Sequence, residues 1–162
     1  MGWRTGKPDG PLSALGIGVT LAAVGLDQAA KLAAVLWLPN QEVIDVLPIL
    51  ALYRTGNTGI AFSFLAGSGA ALIVLMLAVS AAVIAFWART GDGGRLAAVG
   101  YALILGGAVG NLIDRARLGY VIDFLLLHLG DRTLFVFNLA DTALTLGPCM
   151  LVAVYLFPGR NS

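Results

Sequence analysis

The chain has 162 residues, 59% of them hydrophobic and only 12% charged, with 21 glycines and a formal net charge of +1. A soluble domain carries about 45–50% apolar and 25% charged residues, which disfavours a water-soluble globule or a disordered chain; the balanced charge also disfavours a nucleic-acid binder, which needs a basic footprint. The single cysteine, Cys149, excludes an intramolecular disulfide, and the single histidine, His128, lacks the partners of a zinc site, so neither a structural metal nor a cofactor is expected.

A membrane-crossing helix needs about 20 mostly apolar residues, and the gaps between charges supply four. Span one covers roughly 13–37 and is ended by Pro39 and Asn40; span two lies near 69–88, after a polar start at Thr55, Asn57, Thr58 and Ser63 and the small residues Gly67-Ser68-Gly69. Arg89-Thr90-Gly91-Asp92-Gly93-Gly94-Arg95 reads as a tight turn into span three, roughly 96–113. Span four, roughly 138–157, contains Pro148, which membrane helices tolerate as a kink where neighbours satisfy the freed carbonyl. Residues 1–162 are expected to form one membrane-embedded domain.

Four spans put both termini on one side. Lys and Arg divide five against five between the two sides, so the positive-inside count alone is balanced; the Arg residues flanking the short 89–95 loop favour cytoplasmic termini. Arg4, Lys7 and the apolar run behind them resemble the start of a cleavable signal peptide, but the run exceeds the usual 7–15 residues. The two long connections, about 38–68 and 114–137, fall on the opposite side. Residues 42–47 and 49–54 read as weak strands or a hairpin around Pro48, and Val121 to Leu129 reads as a helix lying at the interface.

A carboxylate at membrane depth is costly unless paired, hydrated or neutralised, and each one is a functional-site hypothesis. Asp27 and Lys31 are four apart on one helical face, whose plain reading is an intrahelical ion pair. Asn111, Asp114 and Arg115 share a face at the end of span three, and Asn138 and Asp141 stand at i, i+3 at the start of span four. With Asn57 and Asp123, these residues converge in one layer at one interface. Polar capping and interhelical hydrogen bonding form the structural alternative.

The set contains no serine–histidine pair at plausible spacing. It does contain carboxylates, and two held close share one proton, so that one activates water while the other polarises a carbonyl, the logic of an aspartic peptidase. Asp141 is one candidate. Its partner is Asp114 or Asp123; Asp114 is followed by Arg115, which favours a permanently ionised structural carboxylate, whereas Asp123 lies between Ile122 and Phe124 in surroundings that raise a carboxyl pKa.

Five segments then become recognisable: Asp27-Gln28-Ala29-Ala30-Lys31; Asn57-Thr58-Gly59-Ile60-Ala61-Phe62-Ser63; the stretch from Gly106 to Arg115; Val121-Ile122-Asp123-Phe124; and Phe137-Asn138-Leu139-Ala140-Asp141. In this order they resemble the lipoprotein signal peptidases (signal peptidase II), aspartic peptidases of bacterial inner membranes. Ala30 stands where the family commonly has threonine. The resemblance implies an all-α membrane protein: a four-transmembrane-helix bundle with a small extracytoplasmic β-cradle, a short interfacial helix, cytoplasmic termini and no metal. It implies removal of the signal peptide from diacylglyceryl-modified prolipoproteins, just before the lipidated cysteine. The implied catalytic pair is Asp123 and Asp141, with Asp27, Lys31, Asn57, Asn111, Asp114, Arg115 and Asn138 supporting; Arg115 would hold Asp114. The glycines between Gly106 and Gly110 read as helix-packing positions. Prolipoprotein and membrane phospholipid are the expected partners, nucleic acid is not, and nothing demands more than a monomer. The rival readings are a small proton-coupled transporter, which would show midplane polar residues or paired repeats, and a non-catalytic scaffold.

Overall fold

The computed structural model describes residues 9–59, 69–90 and 94–157. Four long helices, α1 (Ala14–Trp37), α2 (Gly69–Thr90), α3 (Gly94–Leu118) and α4 (Leu139–Leu156), alternate with four strands, β1 (Ile44–Leu47), β2 (Leu50–Asn57), β3 (Val121–Leu129) and β4 (Arg132–Phe137). All four helices are long and apolar enough to cross a membrane.

Helix α3 is the central one, packed against α1, α2 and α4. Its small residues allow this: a Cβ on Gly107 would run into the Ala140 carbonyl oxygen of α4, and one on Gly110 would lie 2.6 Å from Asp27 Oδ2 of α1. By contrast, Leu21, Leu32, Leu36, Val74 and Leu156 are exposed. On a membrane-spanning bundle such residues face lipid, where exposure carries no hydrophobic cost. A second apolar cluster, with Trp87 stacked on Tyr101 (centroids 5.5 Å apart) beside Ala97, Ala98 and Ala102, closes the end where α2 passes into α3.

The strands form one antiparallel sheet in the order β1-β2-β3-β4. The hairpin expected around Pro48 is present as β1 and β2, with Pro48 and Ile49 between them. The interfacial helix expected over Val121 to Leu129 is absent. That segment is β3, paired with β2 on one side and β4 on the other, and Val121, Asp123, Phe124 and Leu126 are buried. A strand covered on both faces presents an unbroken apolar run instead of alternation, so its period could not distinguish it from a helix. No fifth helix occurs among the described residues. Ile60, Ala61, Phe62 and Ser63 of the second signature lie outside them.

Helix α3 also extends five residues past the expected end at 113, through Asp114, Arg115 and Arg117. A charge does not break a helix whose side chain finds a partner. Gly119 stops it, with φ +80° and its amide donating to the Arg115 carbonyl at 3.0 Å. Because β1 follows α1, β3 follows α3 and β4 precedes α4, the sheet gathers at one end of the bundle, opposite the end where α2 stops and α3 starts.

Candidate active site

Local chemistry at the start of α4 positions the first carboxylate. Asn138 is the N-cap residue: its Oδ1 accepts from the Asp141 amide (2.9 Å), while Asp141 Oδ2 accepts from the Asn138 amide (3.2 Å). This reciprocal capping box satisfies two amides that the helix itself leaves orphaned. It also fixes the Asp141 carboxylate.

The second carboxylate comes from β3. Asp123 is buried, at 2% exposure, and both its oxygens accept hydrogen bonds, Oδ1 from Asn138 Nδ2 at 2.6 Å and Oδ2 from Asn57 Nδ2 at 3.0 Å. Burial pushes its pKa up to about 6; the Asn57 hydrogen bond opposes this and the Asp141 charge adds to it. Asn57 is oriented in turn, its Oδ1 accepting from the Gly59 amide at 3.0 Å.

Behind these two lies a buried ion cluster. Lys31 Nζ is 2.8 Å from Asp27 Oδ2 and 2.9 Å from Asp114 Oδ2, and it donates to Asn111 Oδ1 at 3.0 Å. Asp27 and Lys31 are 0% and 1% exposed. The pair seen in sequence as intrahelical is therefore one part of an interhelical triad. Asn111 carries the connection forward, its Nδ2 donating to Asp141 Oδ1 at 2.8 Å while its Oδ1 also accepts from Asn138 Nδ2 at 3.2 Å. Asp27 Oδ1 accepts from the Ala140 amide at 2.9 Å, and Asp114 Oδ2 accepts from the Ile122 amide at 3.1 Å. The triad thus ties α1 and α3 to the backbone on which both Asp141 and Asp123 sit.

The structure brings eight of the nine sequence-derived site residues into this network: Asp27, Lys31, Asn57, Asn111, Asp114, Asp123, Asn138 and Asp141. Arg115 stands apart from it. The cation holding Asp114 is Lys31, while Arg115 donates to the Gly59 carbonyl at 2.9 Å and contacts Met76 Sδ at 3.6 Å, linking α3 to the segment after β2 and to α2. Sequence adjacency suggested the Asp114–Arg115 pairing, but neighbouring residues on a helix point about 100° apart. Gln28 is the residue that the sequence reading left out. Its Nε2 lies within hydrogen-bonding distance of Asp27 Oδ2 (3.2 Å), the Gly110 carbonyl (3.2 Å) and Asp114 Oδ1 (3.0 Å). Its position beside Asp27, three residues before Lys31, was the available signal.

Chemically, the arrangement offers two carboxylates in one hydrogen-bonded frame, one of them with a raised pKa, at the end of an apolar bundle. The family described as signal peptidase (SPase) II, Peptidase_A8, matches residues 19–157. The chain is 48% identical over 128 residues to a lipoprotein signal peptidase of Sinorhizobium fredii, covering 78% of this chain and 77% of that protein. It is 45% identical over 135 residues to one of Mesorhizobium japonicum, covering 83% and 80%. Two solved structures described as bacterial membrane enzymes, determined by the in meso method at 2.3 and 1.9 Å resolution, superpose with TM-scores of 0.77 and 0.76 at 26% and 25% identity. They cover 91% of this chain in both cases, and 90% and 94% of their own. With the family matching nearly the whole described chain, the protein belongs to the signal peptidase II family.

Proposed function

We propose that the protein is a membrane aspartic endopeptidase that removes the signal peptide from diacylglyceryl-modified prolipoproteins, cleaving just before the lipidated cysteine, with Asp123 and Asp141 as the catalytic pair. The observation that carries the assignment is Asn138, which touches both carboxylates, Asp123 Oδ1 through its side chain and Asp141 Oδ2 through its backbone amide. A shared frame of this kind suits two groups that must hold one proton between them.

The reaction runs as a direct attack of water on the scissile carbonyl. One carboxylate of the pair takes a proton from the water as its oxygen bonds to carbon; the other, protonated, donates to the carbonyl oxygen. The proton taken from water then passes to the leaving amide nitrogen as the C–N bond breaks, and the carbonyl oxygen returns the donated proton to the pair as the new carboxylic acid forms. Because the pair titrates as a unit, the single proton belongs to Asp123 and Asp141 together. Asn57, Asn111 and Asn138 orient the two carboxylates, and Asp27, Lys31 and Asp114 act behind them as positioning residues. Arg115 holds the segment after β2 against α2 and α3, next to the site.

We place both termini and the α2–α3 turn on the cytoplasmic side of a bacterial inner membrane and the sheet on the extracytoplasmic side, with the pair at the boundary, where water arrives from one side and the signal helix from the other. All nine site residues come from one chain, so one copy suffices. Among the described residues, the buried polar side chains Asp27, Lys31, Asn111, Asp114, Asp123 and Asn138 belong to this one cluster. A proton-conducting path would distribute them along the bundle.

The test is incubation of the purified protein with a diacylglyceryl-modified prolipoprotein and with its unmodified form. Cleavage of the modified form only is expected, with D123N and D141N folded and inactive. An intact modified substrate, or an active D123N, overturns the assignment.

A further inference from the structure

The end of α1 and the reverse side of the sheet enclose a pocket of about 270 Å³ lined by Val35, Asn40, Arg54, Thr55, Tyr120 and Ile122. It is not the reaction site. Ile122 and Asp123 are consecutive in β3, so their side chains leave opposite faces of the strand.

The pocket's charge is Arg54. Its Nη1 donates to the Val35 carbonyl at the end of α1 (3.0 Å), its Nε is buried without a hydrogen-bond partner, and among the described residues no carboxylate lies within 4.0 Å of the guanidinium. A partly buried cation without a counter-ion, in a pocket that Asn40 also lines, suits an oxyanion, and the planar fork of arginine matches phosphate oxygens. The surface leading to the pocket indicates where that oxyanion comes from. Leu32, Val35 and Leu36 stand at i, i+3 and i+4, are 59%, 41% and 65% exposed, and form an apolar stripe that ends at the pocket wall. Trp37, 80% exposed, follows directly, and tryptophan is the residue that settles at headgroup level.

We propose that this pocket binds the phosphodiester of a membrane phospholipid, with Arg54 on the phosphate, Asn40 beside it, and the acyl chains lying along Leu32, Val35 and Leu36. The bound lipid lies behind β3, the strand whose other face presents Asp123.

The test uses the full-length protein in a phosphate-free detergent, with binding read by native mass spectrometry. Phosphatidylglycerol, dioleoylglycerol (the same chains without phosphate) and inorganic phosphate are the probes. Wild type is expected to retain phosphatidylglycerol over dioleoylglycerol. R54Q should weaken that retention roughly tenfold, the loss expected for a charged hydrogen bond, whereas R132Q, which removes an exposed charge on β4, should not. Equal retention by R54Q and wild type overturns the proposal; displacement of the lipid by inorganic phosphate alone overturns its lipid source. Should R54Q not fold, phosphatidylglycerol with a photoactivatable acyl chain decides the matter on wild type: adducts within residues 32–37 are expected, and adducts confined to α2 or α4 overturn it.

Discussion

Asn138 shows how much one residue can fix. It caps α4, receives the Asp141 amide and holds Asp123, so loss of its side chain removes a helix cap and one of the two hydrogen bonds on Asp123 together. Asp123 itself was legible in the sequence because its neighbours Ile122 and Phe124 imply burial, and burial is the leading cause of its raised pKa. The partner of Asp114 was not legible, because Lys31 lies 83 positions away and only the packing of α1 on α3 brings it near. The Asp123 shift also sets a pH dependence of stability. In the unfolded chain this carboxyl ionises near 3.8, and in the folded one near 6. Between those values the unfolded state releases the proton first, so the wild type loses stability as pH rises, by about 3 kcal/mol in total for a shift of this size. The loss is complete above about pH 6 and absent below the unfolded value. D123N lacks this carboxyl and keeps only Asp141 of the pair. Thermal unfolding in detergent from pH 3.5 to 7.5 should therefore show the wild-type Tm falling relative to D123N up to about pH 6 and then running parallel to it. A constant difference across the range would refute the shift.

At the scale of elements, helices with clear punctuation were readable and the central strand was not. Ser13 before α1 and the Asn138–Asp141 box before α4 announce their helices, whereas the end of α3 was expected at 113 and Gly119, which stops it after Leu118, went unread. Strand β3 carries no such mark, since both faces are covered. The contacts between helices make two further predictions. A Cβ on Gly110 would meet Asp27 Oδ2 at 2.6 Å, and that oxygen, held by Lys31, has nowhere to retreat. G110A should cost about 1–3 kcal/mol by overpacking and lower kcat by displacing Asp27 from the Ala140 amide. G25A, on the same helix as Asp27 with open space around its position, should leave both at wild-type level. Parallel unfolding curves and turnover assays check the pair. Lys31 is the other joint between α1 and α3. K31M leaves Asp27 and Asp114 buried without their cation, a loss of about 3–5 kcal/mol for breaking a buried ion cluster from one side. The triple variant D27N/K31M/D114N, which removes the charges on both sides, should recover much of that stability while activity stays low. Equal instability of the single and triple variants would mean that the ions are not what Lys31 balances.

For the whole molecule, scarcity of charge was enough to predict four helices, but their orientation rested on a balanced count of basic residues. Connectivity reduces it to a single two-way choice: the strands all attach at one end of the bundle, and α2 ends and α3 begins at the other. The proposed reaction favours one of the two: a peptidase of exported proteins meets its substrate on the far side of the membrane, and the proposal puts the sheet and the Asp123–Asp141 pair there. Single cysteines in a C149S background read this out. Thr133 lies exposed on β4, and the Arg95 side chain is 87% exposed at the start of α3. In intact spheroplasts a membrane-impermeant maleimide should label T133C and leave R95C unreacted until the membrane is opened. Native Cys149, exposed on the flank of α4 midway along a span, should resist the reagent from both sides, because lipid covers it. Labelling of R95C before T133C would invert the molecule and move the active site to the cytoplasmic face.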